Sequence, residues 1–179
     1  MSPMQNDHAS EPWRRLAETL AGRLTARALG LLASEFVLLD RESAEIGRLK
    51  VHGPMGAELE AADVGARIER FGRFNYRMLF HDNEILASTG DATSPGITSL
   101  NRPYTAKLAL LRNTAEAGPA EYTTTIRIKG GLTNRNYEVS FEPGDGGSLP
   151  VALFLLYRIV ALRREAYRTS AFGISGRES

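Results

Sequence analysis

The feature that most constrains this chain is a nearly continuous apolar stretch, 149–162, close to its carboxyl end. Arg158 is the single charged residue in the stretch. The pattern predicts a helix, because Ser148 can cap its amino end and Pro150 suits a first turn. A helix without a polar face must be surrounded by protein or by lipid. At 14 residues the stretch is shorter than the roughly 20 that cross a bilayer, so we expect protein around it.

Between Glu35 and Glu142 the sequence is typical of short strands separated by turns. The clearest hairpin joins Glu121–Lys129 to Asn136–Glu142, since apolar and polar residues alternate in both segments. In the first segment we expect Tyr122 to face the same way as the isoleucines. A second hairpin turns at residues 81–83, and loops are expected at residues 89–95 and 115–119. Further strands are predicted at Phe36–Leu39, Gly47–His52, Ala57–Ala61, Val64–Phe71 and Thr105–Arg112, about nine in all.

These two patterns together predict a mainly β fold with two helices. An antiparallel β-barrel spanning residues 35–168 would wrap around the apolar C-terminal helix, residues 149–166. Closure of the barrel leaves no unpaired edge strand, and the helix fills its interior.

The amino-terminal third and the extreme carboxyl end lie outside this barrel. Residues 1–11 are expected to be disordered, and residues 169–179 to form a flexible tail. Residues 12–33 are predicted to form an amphipathic helix, because Trp13, Leu16 and Leu20 recur at helical spacing. Two interpretations of its apolar stripe stay open: docking on its own domain, or binding to a membrane or a protein partner.

The order of these elements resembles a known group of proteins. A curved antiparallel sheet, a strand Asn136–Phe141, a short Gly-rich turn and an apolar helix Val151–Arg164 look like the tubby C-terminal-like superfamily. That superfamily includes the LURP-one-related proteins and the phospholipid scramblases. The resemblance covers roughly residues 35–168. It implies a closed barrel of about a dozen strands around a buried helix, and binding of phosphoinositides or other lipid head groups through basic barrel residues.

Signs of catalysis or metal binding are few. The chain has no cysteine, which excludes disulfides, thiolate zinc sites and cysteine nucleophiles. Its three histidines, His8, His52 and His81, stand alone, without metal-ligand spacing. We therefore expect no catalytic residue, no metal and no cofactor.

The best candidate for binding an anion is a row of basic residues in the second half of the chain. Arg127 and Lys129 occupy alternate positions of one strand, about 7 Å apart on its outer face. The loop residue Arg135 would complete a clamp on a phosphate, and Lys107 and Arg112 are placed on a neighbouring strand. The alternative is a solvated face that keeps the sheet from pairing with others.

Three functions follow from these patterns. The first is a non-enzymatic module that binds anionic phospholipid head groups or a membrane surface. The second is a protein-interaction or scaffold domain that uses residues 12–33, and the third is an enzyme with an unrecognised pocket. Nucleic acid is disfavoured as a partner, because the net charge is +1 and no aromatic residues interleave with the basic row. Residues 1–8 lack the apolar core of a secretory signal, so we expect a cytoplasmic location, peripheral to a membrane in the first case.

Overall fold

The computed structural model describes residues 4–173 of the protein, and its side chains from residue 8 to residue 170. Twelve strands form a closed antiparallel barrel in which each strand pairs with its neighbours in sequence and β1 pairs with β12. The helices are α1 (Met4–Leu20) and α2 (Ser148–Gly173). The strands are β1 (Arg23–Leu29), β2 (Glu35–Leu39), β3 (Glu45–Val51), β4 (Gly56–Ala61), β5 (Val64–Arg70), β6 (Tyr76–Phe80), β7 (Asn83–Gly90), β8 (Pro95–Ser99), β9 (Arg102–Ala109), β10 (Thr114–Gly118), β11 (Ile126–Gly130) and β12 (Asn136–Ser140).

The apolar helix runs through the barrel, as its sequence predicts. Every residue of α2 from 148 to 161 is buried, including Arg158. Inward side chains of the strands surround it, among them Leu49, Met78 and Ile126. The predicted fold class, an antiparallel barrel around a C-terminal helix with a second helix at the amino end, is confirmed.

The two ends of the barrel differ. Helix α1 covers one end, where Trp13 is fully buried and its ring meets that of Phe80 edge-on, with 6.1 Å between centroids. Because consecutive strands are antiparallel, every second connection lies at the opposite end. At that opposite end α2 leaves the barrel, and from Glu165 to Ser170 it is exposed.

The predicted helix 12–33 is wrong beyond Leu20. Ala21 and Gly22 adopt left-handed φ values of 49° and 82°, which end the helix, and Arg23–Leu29 forms β1 between β2 and β12. A spacing of four residues satisfies both a helical face and an alternating strand, so Leu24 and Ala28 misled the prediction. The expected disorder of residues 1–11 is also wrong from Met4 onward, where α1 begins; residues 1–3 lie outside the described part.

Several other predicted boundaries need correction. Residues 115–119, expected to be a loop, lie largely in β10, and β8 was not predicted either. The side chains of β10 that face inward include Ala115 and Ala117. Such small side chains contribute little to the alternating pattern from which a strand is predicted. The segment predicted to begin at Glu121 becomes a strand only at Ile126, and Tyr122 is 91% exposed rather than facing inward. Helix α2 continues through residues 169–173 of the expected tail, and residues 174–179 lie outside the described part.

Because the barrel encloses α2, a charge placed on this helix should destabilise the protein. Leu155 is 0% exposed, so Leu155→Asp leaves an unpaired buried carboxylate that costs several kcal/mol, against a total stability of roughly 5–15 kcal/mol. We expect this variant to be unfolded by circular dichroism and thermal melting. Leu111→Asp is the matched control, because Leu111 is fully exposed and its melting temperature should barely change. A Leu155→Asp protein that melts like the wild type would show that α2 is not sheathed.

Candidate functional site

Three of the predicted anion-binding residues lie on the outer wall of the barrel, and each of them faces an acidic residue on a neighbouring strand. Lys107 on β9 faces Glu116 on β10, and Glu116 in turn faces Arg127 on β11. The Nε of Arg127 lies 3.6 Å from a Glu116 carboxylate oxygen. Lys129 faces Glu138 on β12. The row therefore alternates in charge, as a solvated face does.

The other two predicted residues, Arg112 and Arg135, lie in loops at the end where α2 emerges. Arg127 is in register with Ser140, which is five residues along the strand from Arg135, or about 17 Å at the rise of an antiparallel strand. Lys129 lies nearer, because it is in register with Glu138, three residues or about 10 Å along the strand from Arg135. Anion binding by Arg127, Lys129 and Arg135 together stays a prediction.

A groove of about 790 Å³ nevertheless crosses this wall. We call it the wall groove; it lies between the connection 40–44 and the outer faces of β1, β11 and β12. Sequence reasoning missed two of its cations: Arg23, which was assigned to a helix, and Arg41, which donates a hydrogen bond to the Ala21 carbonyl at 2.8 Å. Its charged residues are Arg23, Arg41, Arg127, Lys129, Asp40 and Glu138.

The end where α2 leaves the barrel has a different surface. We call it the exit rim, formed by the six connections 30–34, 52–55, 71–75, 91–94, 110–113 and 131–135 and by residues 163–168 of α2. Of the ten large apolar side chains that are exposed among the described residues, eight lie on the exit rim. Leu29 adjoins it, and Tyr122 lies at the opposite end. The eight are Leu31, Leu32, Met55, Phe71, Phe74, Leu111, Leu132 and Tyr167.

The exit rim is also basic. It carries two carboxylates, Asp91 and Glu165, against six arginines, and all of its permanent cations are arginines. Within the described part of the chain, no ion pair involves any of the six, whereas wall arginines such as Arg48, Arg67 and Arg77 are paired with glutamates. The six are Arg73, Arg112, Arg135, Arg163, Arg164 and Arg168.

Hydrogen bonds between α2 and two of the apolar loops of the exit rim hold these loops in place. The guanidinium of Arg163 donates to the carbonyls of Leu110 and Leu132 and, at 2.9 Å, to the hydroxyl of Tyr167. The amide of Asn134 donates to the Val160 carbonyl at 3.1 Å. The exposed tips at Leu111 and Leu132 are therefore carried by anchored loops.

A second anchor explains the arginine inside the apolar stretch. Arg158 donates to the hydroxyl of Tyr76 at 2.8 Å, with its guanidinium carbon 4.1 Å from the centre of the Tyr76 ring. The Tyr76 hydroxyl donates to the carbonyl of Pro54 at 2.9 Å, and that of Tyr157 donates to the carbonyl of Gly53. Burial raises the pKa of Tyr157. These bonds fix the short turn that presents Met55 on the exit rim.

Among the described residues, no group of three or more histidine or acidic side chains is placed to hold a metal ion. Within the same part of the chain, no helix is long and apolar enough to cross a membrane.

Comparisons with known proteins show the fold. Neither a protein-family model nor a curated protein matches this sequence. Among solved structures, an X-ray structure of a protein from Arabidopsis thaliana is similar, with a TM-score of 0.51 and 7% sequence identity. The match covers 82% of this chain and 92% of that one.

The anchoring of the exit rim predicts a pH dependence. Tyr137 donates to Asn134, and burial raises the pKa of Tyr137 to about 12, above the value of about 10 for an exposed tyrosine. The unfolded chain therefore loses this proton first, so stability is full below about pH 10 and is lost as pH rises toward about 12. We expect Tyr137→Phe to show a shallower fall in unfolding free energy across this range, measured by denaturant titration.

The control for this prediction is Tyr122→Phe, because Tyr122 is almost fully exposed. The unfolding free energy of this variant should fall with rising pH as steeply as that of the wild type. Equal slopes for all three proteins would mean that the Tyr137 hydroxyl does not couple ionisation to folding.

Proposed function

We propose that this protein is a binding module that attaches peripherally to anionic phospholipid membranes through its exit rim. The observation that carries the proposal is the concentration of exposed apolar side chains and unpaired arginines at one end of the barrel. An exposed apolar patch bordered by polar residues marks an interaction surface. The basic border selects for a negatively charged partner.

The arrangement of the apolar side chains favours a bilayer over a folded protein as the partner. They stand on five separate connections and on the projecting helix, as single residues or pairs. A rigid protein partner needs a pocket matched to each, whereas the boundary between head groups and acyl chains accepts them in any arrangement. Burial of each leucine there contributes about 25 cal/mol per Å² of apolar area.

The arginines suit the phosphate layer of such a membrane. A guanidinium binds phosphate oxygens in a bidentate fork, and each basic residue near an anionic leaflet contributes about 1 kcal/mol. Within residues 8–170, whose side chains are described, no arginine of the exit rim forms an ion pair that it would have to break. On the wall, Arg127 would first have to leave Glu116.

Membership of the tubby C-terminal-like superfamily is part of the same proposal. It is supported by the order of elements, in which a β12 strand and a Gly-rich turn precede a helix enclosed by the barrel. The lipid-head-group binding that this resemblance implies agrees with a basic surface on the barrel. The similarity to the Arabidopsis thaliana protein concerns the fold alone.

The alternative of a protein partner bound through residues 12–33 has less support. The apolar stripe of α1 is covered by its own domain, where Trp13, Leu16 and Leu20 are buried. The second half of the segment is a strand of the barrel. A partner would therefore have to bind the polar face of α1.

Vesicle binding tests the proposal and compares the two basic surfaces. On vesicles of phosphatidylcholine with phosphatidylserine, the rim variant Arg112→Glu with Arg168→Glu should bind at least tenfold more weakly, given about 1 kcal/mol or more for each residue. Leu111→Ser with Leu132→Ser should bind more weakly as well, because apolar area stays in water. The measurement is cosedimentation over a range of lipid concentrations.

The matched comparison is Arg127→Glu with Lys129→Glu, which changes the net charge equally on the wall. We expect its affinity to stay within about twofold of the wild type. Charges on the wall lie farther from the docked membrane than the Debye length, about 8 Å at physiological salt, so the solution screens them. If only the wall variant lost binding, the wall groove and not the exit rim would be the membrane-binding site. Equal binding to vesicles of phosphatidylcholine alone would refute an anionic membrane as the partner.

A further inference from the structure

A second cavity, of about 550 Å³, opens on the exit rim between α2 and the connections 110–113 and 131–135. Its volume lies within the range of small-molecule sites. Most of its wall is apolar, from Leu110, Leu111, Leu132, Ala166 and Tyr167. The cavity is therefore suited to an apolar group, and it opens on the surface that we propose to face the membrane.

One wall of this cavity carries a buried positive charge. Arg163 lines the cavity and is 7% exposed. Among the described residues, its guanidinium donates hydrogen bonds only to neutral oxygens, those of Leu110, Leu132 and Tyr167, and its Nε has no hydrogen-bond partner. The guanidinium carbon also lies 5.5 Å from the centre of the Tyr167 ring. A buried cation without a counter-charge is costly, so an anion at this point would be stabilised.

The hydrogen bonds of Arg163 show where an anion can bind. One N–H of Nη2 donates to the Tyr167 hydroxyl at 2.9 Å. The other donates to the Leu132 carbonyl at 3.3 Å, which is outside the usual range of 2.7–3.2 Å, so this second N–H is weakly engaged. Arg112 also lines the cavity and is exposed. Arg164, next to Arg163 on α2, has a pKa that is lowered first by its partial burial and then by the nearby Arg168.

We propose that this cavity binds one amphiphilic anion, with its apolar chain against Leu132 and Tyr167 and its phosphate group near Arg163 and Arg112. The inference deepens the proposed function and rests on it, because a lipid of the docked membrane would be the source of the ligand. The same chemistry is offered by a free single-chain phosphate. The cavity opens beside the exposed turns of α2, so a lipid chain enters it directly from the interface.

Monomeric ligands separate this site from membrane docking. Dodecyl phosphate, the neutral dodecyl maltoside and inorganic phosphate are titrated into the full chain by calorimetry, with the two amphiphiles kept below their critical micelle concentrations. We expect saturable one-to-one binding of dodecyl phosphate, and binding of the other two at least tenfold weaker. Equal affinity for dodecyl maltoside would overturn the role of the buried cation, and binding of inorganic phosphate alone would overturn the role of the apolar wall.

A pair of tryptophan variants on one helix tests the location. Ala166→Trp fills the cavity, and dodecyl phosphate should then bind at least tenfold more weakly. Thr169→Trp introduces the same side chain at an exposed neighbouring position outside the cavity and should leave that affinity unchanged. Thermal melting of both variants checks that each is folded. Identical affinities in the two variants would overturn the site.

Vesicle cosedimentation of the same proteins distinguishes the two proposals. Wild-type protein that binds anionic vesicles but no dodecyl phosphate would overturn the cavity site and leave membrane docking in place. Wild-type protein that binds neither anionic vesicles nor dodecyl phosphate would overturn both the membrane docking and the cavity site. Ala166→Trp protein that still binds vesicles but has lost dodecyl phosphate would support a separate lipid site within a docking surface.

Discussion

The structure depends on the enclosure of a helix that has no polar face. From residue 148 to residue 161, α2 is buried on all sides. A helix without a polar face needs protein all around it, and in this chain the closed barrel provides that protein. Closure requires β1 to pair with both β2 and β12, so the chain must bring a segment that follows α1 into the barrel. It also requires small inward side chains where the wall approaches the helix, as at Ala115 and Ala117 of β10.

Enclosure also makes the two ends of the barrel unequal. At the amino end of α2, Ser99 donates to the Gly147 carbonyl at 2.9 Å and Tyr104 donates to Asp145 at 2.6 Å, and α1 covers this end. At the other end, α2 continues into solvent, and Arg163 binds two loop carbonyls around it. With the interior filled and one end covered, most of the exposed large apolar residues lie where α2 emerges.

The sequence predicts the enclosed helix from a continuous apolar stretch and most strands from the alternation of apolar and polar residues, and both patterns are local. The prediction of a helix for Arg23–Leu29 is wrong because Leu24 and Ala28 fit a helix and a strand equally well. The segment forms a strand because it pairs with both β2 and β12 and so closes the barrel. Arg127 and Lys129 were correctly placed on an outer face, but their acidic neighbours come from other strands. The exit rim could not be predicted for the same reason. From the sequence alone, a leucine such as Leu111 is expected in the core, and only the folded barrel shows that its loop is exposed.

The orientation of the protein on a membrane tests the central claim most directly. The chain contains no cysteine, so a single nitroxide-quenchable fluorophore can be attached to Leu132→Cys on the exit rim or to Tyr122→Cys at the covered end, both positions being more than nine-tenths exposed. With anionic vesicles that carry nitroxide-labelled lipid, we expect quenching of the label at position 132 and little at position 122. Quenching at position 122 alone, or equal quenching at both positions, would contradict docking through the exit rim.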